Sequence, residues 1–505
     1  MIKILNRIVI ILFAQFLFHT AGFGNVGEAA RYLEDNVVFT NLSNGISVIM
    51  LNRGYAPTLS MIISFRVGSV DEGYRSIGTA HMLEHMLFKG TDRIGTNDFK
   101  KENEILKKIE IIGERLDRLR IESSGDERIG DLEKQLKDLQ REHSRYVVSS
   151  PYDRVYTANG GVGFNASTSR DRTAYYIELP AVKLELWARL ESERLRNPVL
   201  REYYIERDAV MEERLMRYES RGNSNLFEKF IAVAFLAHPY RHPTIGWKSN
   251  IEHLSIKSVR GFYDAYYIPS RMTITVVGLQ DTDRTLKLLE KYFGRIEKRD
   301  EPQGVHLDEP LQRGERRLEI YFESNPYLLI GWHKPTSPSR DDYVADIISG
   351  ILSDGKTSRF YRSLVLEKGI AASVESWNGT PGVRYNNLFI ISAVPKHPHT
   401  PDELEVAIYK EIERLRDDIN RDEIERVLNR IESSMVFDLD SNSGIARSLS
   451  YYQTVLGDWG YLLEYLKTVK TISLEEIRKT IDKFFTKENR TVGILRNSAL
   501  NRESH

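Results

Sequence analysis

The sequence predicts an α+β protein made of two homologous α+β domains, each a sheet with helices, and a helical hairpin inserted into the first. Three observations predict it. Short runs rich in β-branched and aromatic residues alternate with longer stretches of helical spacing. The order sheet then helices occurs twice, on either side of a polar stretch at 298–314. A charge-dense block at 101–150 with apolar residues at helical spacing breaks into the first unit. The boundaries that follow are a first domain at 36–297, a linker at 298–314 and a second domain at 315–500.

Within the first domain, residues 37–40 lead to Asn44-Gly45, a hairpin-type dipeptide, and residues 46–50 alternate as a strand should. Residues 59–67 form another β-rich run, and the pattern turns helical over 77–87. In the inserted block, Ile105, Ile109, Ile112, Leu116 and Leu119 form one stripe, and Leu132, Leu136 and Leu139 a second. Ser123-Ser124-Gly125-Asp126 reads as the turn between them. Such stripes predict a solvated helix pair closing on itself, with a docking arm for a partner as the sharper alternative. Beta character returns over 162–179, followed by helices at about 181–195 and 200–220, and a strand at 272–277. In the second domain, strands are expected at 318–322, 327–332, 373–375, 388–394 and 491–495, and helices at 341–352, 401–416, 421–436 and 474–485.

Composition narrows the chemistry. Charged residues make up 28% of 505, yet the formal net charge is −1, so no long-range field favours nucleic acid or an anionic membrane. Cysteine is absent, which leaves histidine and carboxylates to bind any metal. Lys3 and Arg7 precede an apolar run at 8–18, then Ala21, Gly22 and Gly24. This order of charge, apolar core and small residues predicts a cleaved secretory signal peptide over 1–24 and a periplasmic or secreted protein. An uncleaved anchor or a buried helix is the alternative. No later segment is long enough for a stable membrane span.

The strongest motif is His81-Met82-Leu83-Glu84-His85. Residues four apart share a helix face, so the two imidazoles can hold one metal ion, and Glu84 projects beside it as a base. This H-x-x-E-H order is the inverse of H-E-x-x-H. A catalytic zinc site needs a third protein ligand. The helix at about 200–220 offers Glu206, Glu212, Glu213 and Glu219, of which Glu206 and Glu213 share a face. Spacing alone does not choose among them. His238, His242, His397 and His399 lie in proline-rich loops and read as structural or surface residues.

Five blocks carry a family resemblance: residues 78–91 around the motif, 164–176, 205–213, 238–246 and 262–269. In this order they resemble the insulinase/pitrilysin-like zinc peptidases, which include mitochondrial processing peptidase. The resemblance implies a zinc-dependent endopeptidase of extended peptides with one Zn2+ per chain. It implies His81, His85 and Glu213 as metal ligands, Glu84 as catalytic base and Glu206 as a supporting catalytic residue. It also implies that substrate adds as a strand along residues 164–176, with Asn165, Ala166, Ser167 and Thr168 as substrate-binding residues.

One family feature is missing. Relatives carry an Arg and a Tyr seven residues apart in the second half; here those positions fall on Val365 and Ala372. Arg359, Tyr361 and Arg362 are near but out of register. The resemblance therefore implies the zinc-bearing chain of a heterodimer, with a homologous partner supplying the Arg/Tyr pair. A non-catalytic structural subunit or a peptide-binding homologue is the alternative.

Overall fold

The computed structural model describes residues 26–498 except 55, 124 and 125. Residues 1–24, where a signal peptide is expected, and the centre of the 123–126 turn lie outside the described residues. Two sheets form. The first has the order β1-β2-β6-β3-β5-β4, from β1 (Val37–Asn41), β2 (Ser47–Asn52), β3 (Thr58–Phe65), β4 (Val162–Thr168), β5 (Thr173–Pro180) and β6 (Met272–Gly278). The second has the order β7-β11-β8-β10-β9, from β7 (Arg316–Phe322), β8 (Tyr327–Lys334), β9 (Ala371–Thr380), β10 (Asn387–Pro395) and β11 (Arg490–Asn497). The β2/β6 and β7/β11 pairs are parallel, and the neighbours β3 and β8 run antiparallel to β6 and β11. Apart from the extra edge strand β1, the two sheets repeat one topology, as the twofold order of the sequence predicts.

The residue pattern explains the strand positions. Every residue of β6 is buried, which suits a central strand with both faces covered. The edge strand β4 is largely exposed. The stretch at 162–179 is not one strand, however. It folds back at Ser169–Arg172, leaving β4 as the free edge and β5 inside the sheet.

The two halves exchange helices. The Gly222–Ala234 helix belongs to the first half, yet Leu226, Phe230 and Ile231 pack with Leu329, Leu388, Ile390 and Leu495 of the second sheet. Reciprocally, Ile445, Ala446 and Leu449 on the Asn442–Leu456 helix pack with Ile49, Leu51, Ile62 and Val277 of the first sheet. Burying a Leu, Ile or Phe side chain stabilises by about 1.5–3 kcal/mol. Two such clusters make the halves one packed body rather than domains hung on a linker. Polar contacts complete the seam. The buried Arg384 donates to Asp71 Oδ2 (2.8 Å), and Asp171 accepts from Tyr240 Oη (2.7 Å) and the Val383 amide (2.6 Å). The 298–314 stretch is irregular but fastened, since Glu309 accepts the amides of Leu236, Ala237 and His238.

The charged block forms a helical hairpin, Phe99–Glu122 and Arg128–His143. Its stripes meet as expected, with Ile105, Ile109, Leu116, Leu132 and Leu136 buried. It is more than a solvated pair, because it docks through buried ion pairs. Arg201, fully buried, donates from Nε to Glu102 (2.6 Å) and from its terminal nitrogens to the carbonyls of Thr91 (2.6 Å) and Lys89 (2.8 Å). His143 Nε2 lies 2.9 Å from the same Glu102 carboxylate. Higher up, Arg207 grips Asp117 at 3.0 Å. Gly113 lets the helix approach Tyr204, since a Cβ there would lie 2.0 Å from Tyr204 Cζ.

Glu102 gives the hairpin a pH signature. Burial alone would raise its pKa, but the hydrogen bonds with His143 and Arg201 outweigh burial and hold it at about 2. An unfolded glutamate titrates near about 4.3. The stabilisation is therefore complete above that value and is lost as pH falls towards 2. Replacing Glu102 with Ala leaves Arg201 buried without its counter-ion and is expected to cost about 3–5 kcal/mol near neutral pH. Urea unfolding midpoints across pH 2–6 check this, and the variant should lose part of the wild type's acid slope.

Candidate metal centre

The motif helix, Thr79–Met86, follows β3 after a connection over residues 66–78. Gly78 caps it at φ 96°, and a Cβ there would sit 2.7 Å from the Ile245 carbonyl oxygen. Only glycine satisfies both conditions. The Glu72 carboxyl group accepts the amides of Gly78 (2.8 Å) and Ala80 (2.7 Å) at this N-terminus, where amides lack helical partners, although burial pushes its pKa well up against those two bonds. Met82, Leu83 and Met86 are fully buried, and this packing fixes the opposite face carrying His81 and His85.

The Tyr203–Arg214 helix lies across that face. Its Glu206 and Glu213, two turns apart, grip the His85 ring from opposite sides. His85 Nδ1 is 2.8 Å from Glu206 Oε1, and His85 Nε2 is 3.4 Å from Glu213 Oε2. The other Glu213 oxygen lies 3.7 Å from His81 Nε2. One ligand atom from each of His81, His85 and Glu213 falls within 4.8 Å of the others. Glu212 and Glu219 do not join them; Glu219 pairs with Arg214 at 3.3 Å. Lys89 Nζ holds the second Glu206 oxygen at 2.6 Å and Glu202 at 3.3 Å.

The electrostatics sort these groups. Burial first, and His85 second, push His81 down to about 4, so its imidazole is neutral at neutral pH. Burial would lower His85 too, but its hydrogen bonds to Glu206 and Glu213 lift it to about 9. Burial would raise Glu206, yet the contacts with His85 and Lys89 hold it at about 2. Glu213 is lowered chiefly by its hydrogen bond with His85. Glu84 goes the other way. Burial raises it, partly opposed by the Thr168 hydroxyl, which donates to Oε2. Its Oε1 has no hydrogen-bond partner among the described residues.

This donor set suits zinc. Two imidazole nitrogens and one carboxylate are a zinc set of the catalytic kind, with three protein ligands rather than the four of a structural site. Glu206 keeps a proton on His85 Nδ1, so Nε2 is the nitrogen that would face an ion once its own proton is released, as in other metal-binding histidines.

The edge strand β4 borders the centre. Asn165 lines a cleft of about 570 Å³ with Glu84, His85 and Lys89. Ala166 is buried, Ser167 is exposed, and Thr168 reaches Glu84. Val365 packs partly buried against the second core and Ala372 is exposed on β9. Arg359 is spent on Glu423 and Asp418 at 2.7 and 2.5 Å. His238 packs against Phe235, Tyr240 and Tyr385, away from the metal group. Glu72, Lys89 and Arg217, whose guanidinium lies 2.9 Å from Glu213, escape a reading of the sequence. Lys89, four residues after His85, was the most findable of them.

Comparison with known proteins shows the family of the chain. The family model "Insulinase (Peptidase family M16)" matches residues 47–117 and 147–247, breaking off within the hairpin, and "Peptidase M16 inactive domain" matches 253–431. The chain is similar to the zinc protease PqqE of Helicobacter pylori, 23% identical over 93% of this chain and 94% of the other. It is also similar to the mitochondrial-processing peptidase subunit beta of Lentinula edodes, 21% identical over 88% and 86% respectively. Among solved structures, a protease from Helicobacter pylori shares the fold with a TM-score of 0.76 and 22% identity, covering 91% of this chain and 99% of the other. With the two models following one another along well over half of its length, the chain belongs to the insulinase family of peptidases, M16.

Proposed function

We propose that the chain is a zinc-dependent endopeptidase of extended, unfolded peptide segments, holding one zinc ion through His81, His85 and Glu213. The observation that carries this reading is the convergence of those three donors beside a buried carboxylate, Glu84, with one unpartnered oxygen. Zinc in such a site supplies Lewis acidity, polarising a carbonyl and making water acidic enough to give up its proton near neutral pH. Glu84 Oε1 takes that proton as water attacks the peptide carbonyl, then delivers it to the leaving amine nitrogen. The raised pKa of Glu84 makes it a stronger base than an exposed glutamate. Thr168 fixes its other oxygen, so the carboxylate faces one way. Glu206 orients His85 and is itself anchored by Lys89.

Substrate is held by strand addition. As the sheet's free edge, β4 offers backbone N–H and C=O groups for a peptide lying along Asn165 to Thr168. Such binding reads the backbone and favours unfolded segments. No helix among the described residues is long and apolar enough to cross a bilayer. The N-terminal segment supports secretion or a periplasmic location.

Val365 and Ala372 leave the second half without the Arg/Tyr pair, and Arg359 is held elsewhere. A homologous partner chain supplies it in this reading. Cleavage of an unfolded polypeptide by the zinc-loaded chain, alone and with that partner, is the test. The chain alone should cleave slowly and lose this on chelation; the partner should raise the rate by about a hundredfold to a thousandfold, the worth of one transition-state donor. Zinc-independent cleavage, or none with or without the partner, refutes the peptidase assignment.

A further inference from the structure

Beyond Glu213 the helix leaves α geometry, and Leu215–Glu219 forms a π-turn, a device often found at functional sites. This turn and the residues after it put Arg217, Tyr218 and Arg221 on one wall of a second cleft of about 630 Å³. The opposite wall comes from the second half: Tyr327, Trp377 and Thr380. Trp377, which lines the cleft, is 40% exposed, so part of its indole remains open to solvent. The cleft communicates with the metal centre through Arg217, which lines it and also contacts Glu213 at 2.9 Å.

The charge of this cleft is one-sided. Its lining includes two arginines and no carboxylate. Arg217 has Glu213 for a counter-ion, but Arg221 is exposed and makes no ion pair among the described residues. A guanidinium with a free fork beside aromatic faces selects a planar carboxylate on an otherwise apolar group. Polar donors at Asn223 and Ser224 line the same wall.

We propose that this cleft is a substrate subsite for a carboxylate, borne either by an acidic side chain or by the chain end of the peptide, with Arg221 as its primary contact and Trp377 as its apolar wall. The subsite rests on the peptidase reading for its purpose. It makes the enzyme selective for acidic or carboxyl-terminal segments rather than indifferent to sequence.

Binding of labelled peptides to the full-length, metal-free chain tests this without turnover. One neutral peptide backbone is used in four forms: with an internal Glu and an amidated end, with a free terminal carboxylate, neutral and amidated, and with an internal Lys and an amidated end. At low salt, fluorescence anisotropy should show a carboxylate-bearing form binding about tenfold or more tighter than the neutral one, as for a hydrogen bond to a charged group. Preference for the Glu form assigns an acidic side chain, and preference for the free end assigns a chain terminus. Arg221→Gln should abolish the preference and Arg221→Lys should restore part of it; Arg221 is exposed and unpaired, so neither variant threatens folding. Equal binding of all four forms, or a preference that survives Arg221→Gln, overturns the subsite. Carboxylate preference without hydrolysis by the zinc-loaded chain, with or without the partner, sinks the peptidase reading and keeps the subsite, whereas hydrolysis without preference does the reverse.

Discussion

Glu84→Gln is expected to lower peptide hydrolysis by about a thousandfold, within the range that a positioned general base supplies, and to leave zinc content unchanged. The substitution keeps the shape of the side chain. A Gln carbonyl oxygen can still accept the Thr168 hydroxyl, so the position of the residue survives and its basicity alone is lost. The neighbouring carboxylates cannot stand in. Glu206 is engaged at both oxygens by His85 and Lys89, so neither is free to take a proton from water. Glu213 is divided among His81, His85 and Arg217. Steady-state rates on an unfolded polypeptide, with metal analysis of the same preparations, make the comparison. A Glu84→Gln enzyme within tenfold of wild type would place the base elsewhere and rule out proton transfer through Glu84.

The sequence displayed the centre unevenly. His81, Glu84 and His85 stand in one helical turn, so their shared face follows from periodicity alone. Glu213 lies far along the chain and is one carboxylate among several on its helix; spacing did not single it out, the resemblance did, and the packing of two helices brings it to the histidines. Glu72 caps the motif helix from a loop six residues before Gly78, and nothing in its neighbourhood marks it as a cap. The doubled sheet was readable because strands alternate and recur in order. The exchange of the Gly222–Ala234 and Asn442–Leu456 helices was not, because an apolar face records that it is buried and not against which sheet. The β4–β5 reversal was missed for a local reason. Its turn, Ser169-Arg170-Asp171-Arg172, carries no Gly, Pro or Asn, and it is shaped by Ser169 accepting the amides of Asp171 and Arg172. The hairpin's stripes showed that two helices pair, whereas its docking depends on Glu102 and Asp117, which in sequence look like solvated charges among many.

The two carboxylates that spacing left equivalent are separated by a second expected result. Glu213→Gln should weaken zinc binding by more than about a hundredfold, because a ligand is lost, whereas Glu206→Gln should cost about tenfold to a hundredfold, the effect of removing a partner that only orients a histidine. Geometry sets the difference. Glu213 presents its two oxygens to the Nε2 atoms of both histidines, at 3.7 and 3.4 Å, while Glu206 reaches one histidine alone, at His85 Nδ1, the nitrogen facing away from Glu213. Glu206→Gln also preserves an oxygen that can accept from Nδ1, so the tautomer of His85 is retained. Glu213→Gln replaces a charged ligand with a neutral amide and leaves Arg217 without its anion. Zinc affinities from competition with a chelator give both values on chains whose folding is checked by circular dichroism. A larger loss in Glu206→Gln would assign the ligand to Glu206 and turn the inferred site around the His85 ring, and equal losses would overturn the division into ligand and orienting residue.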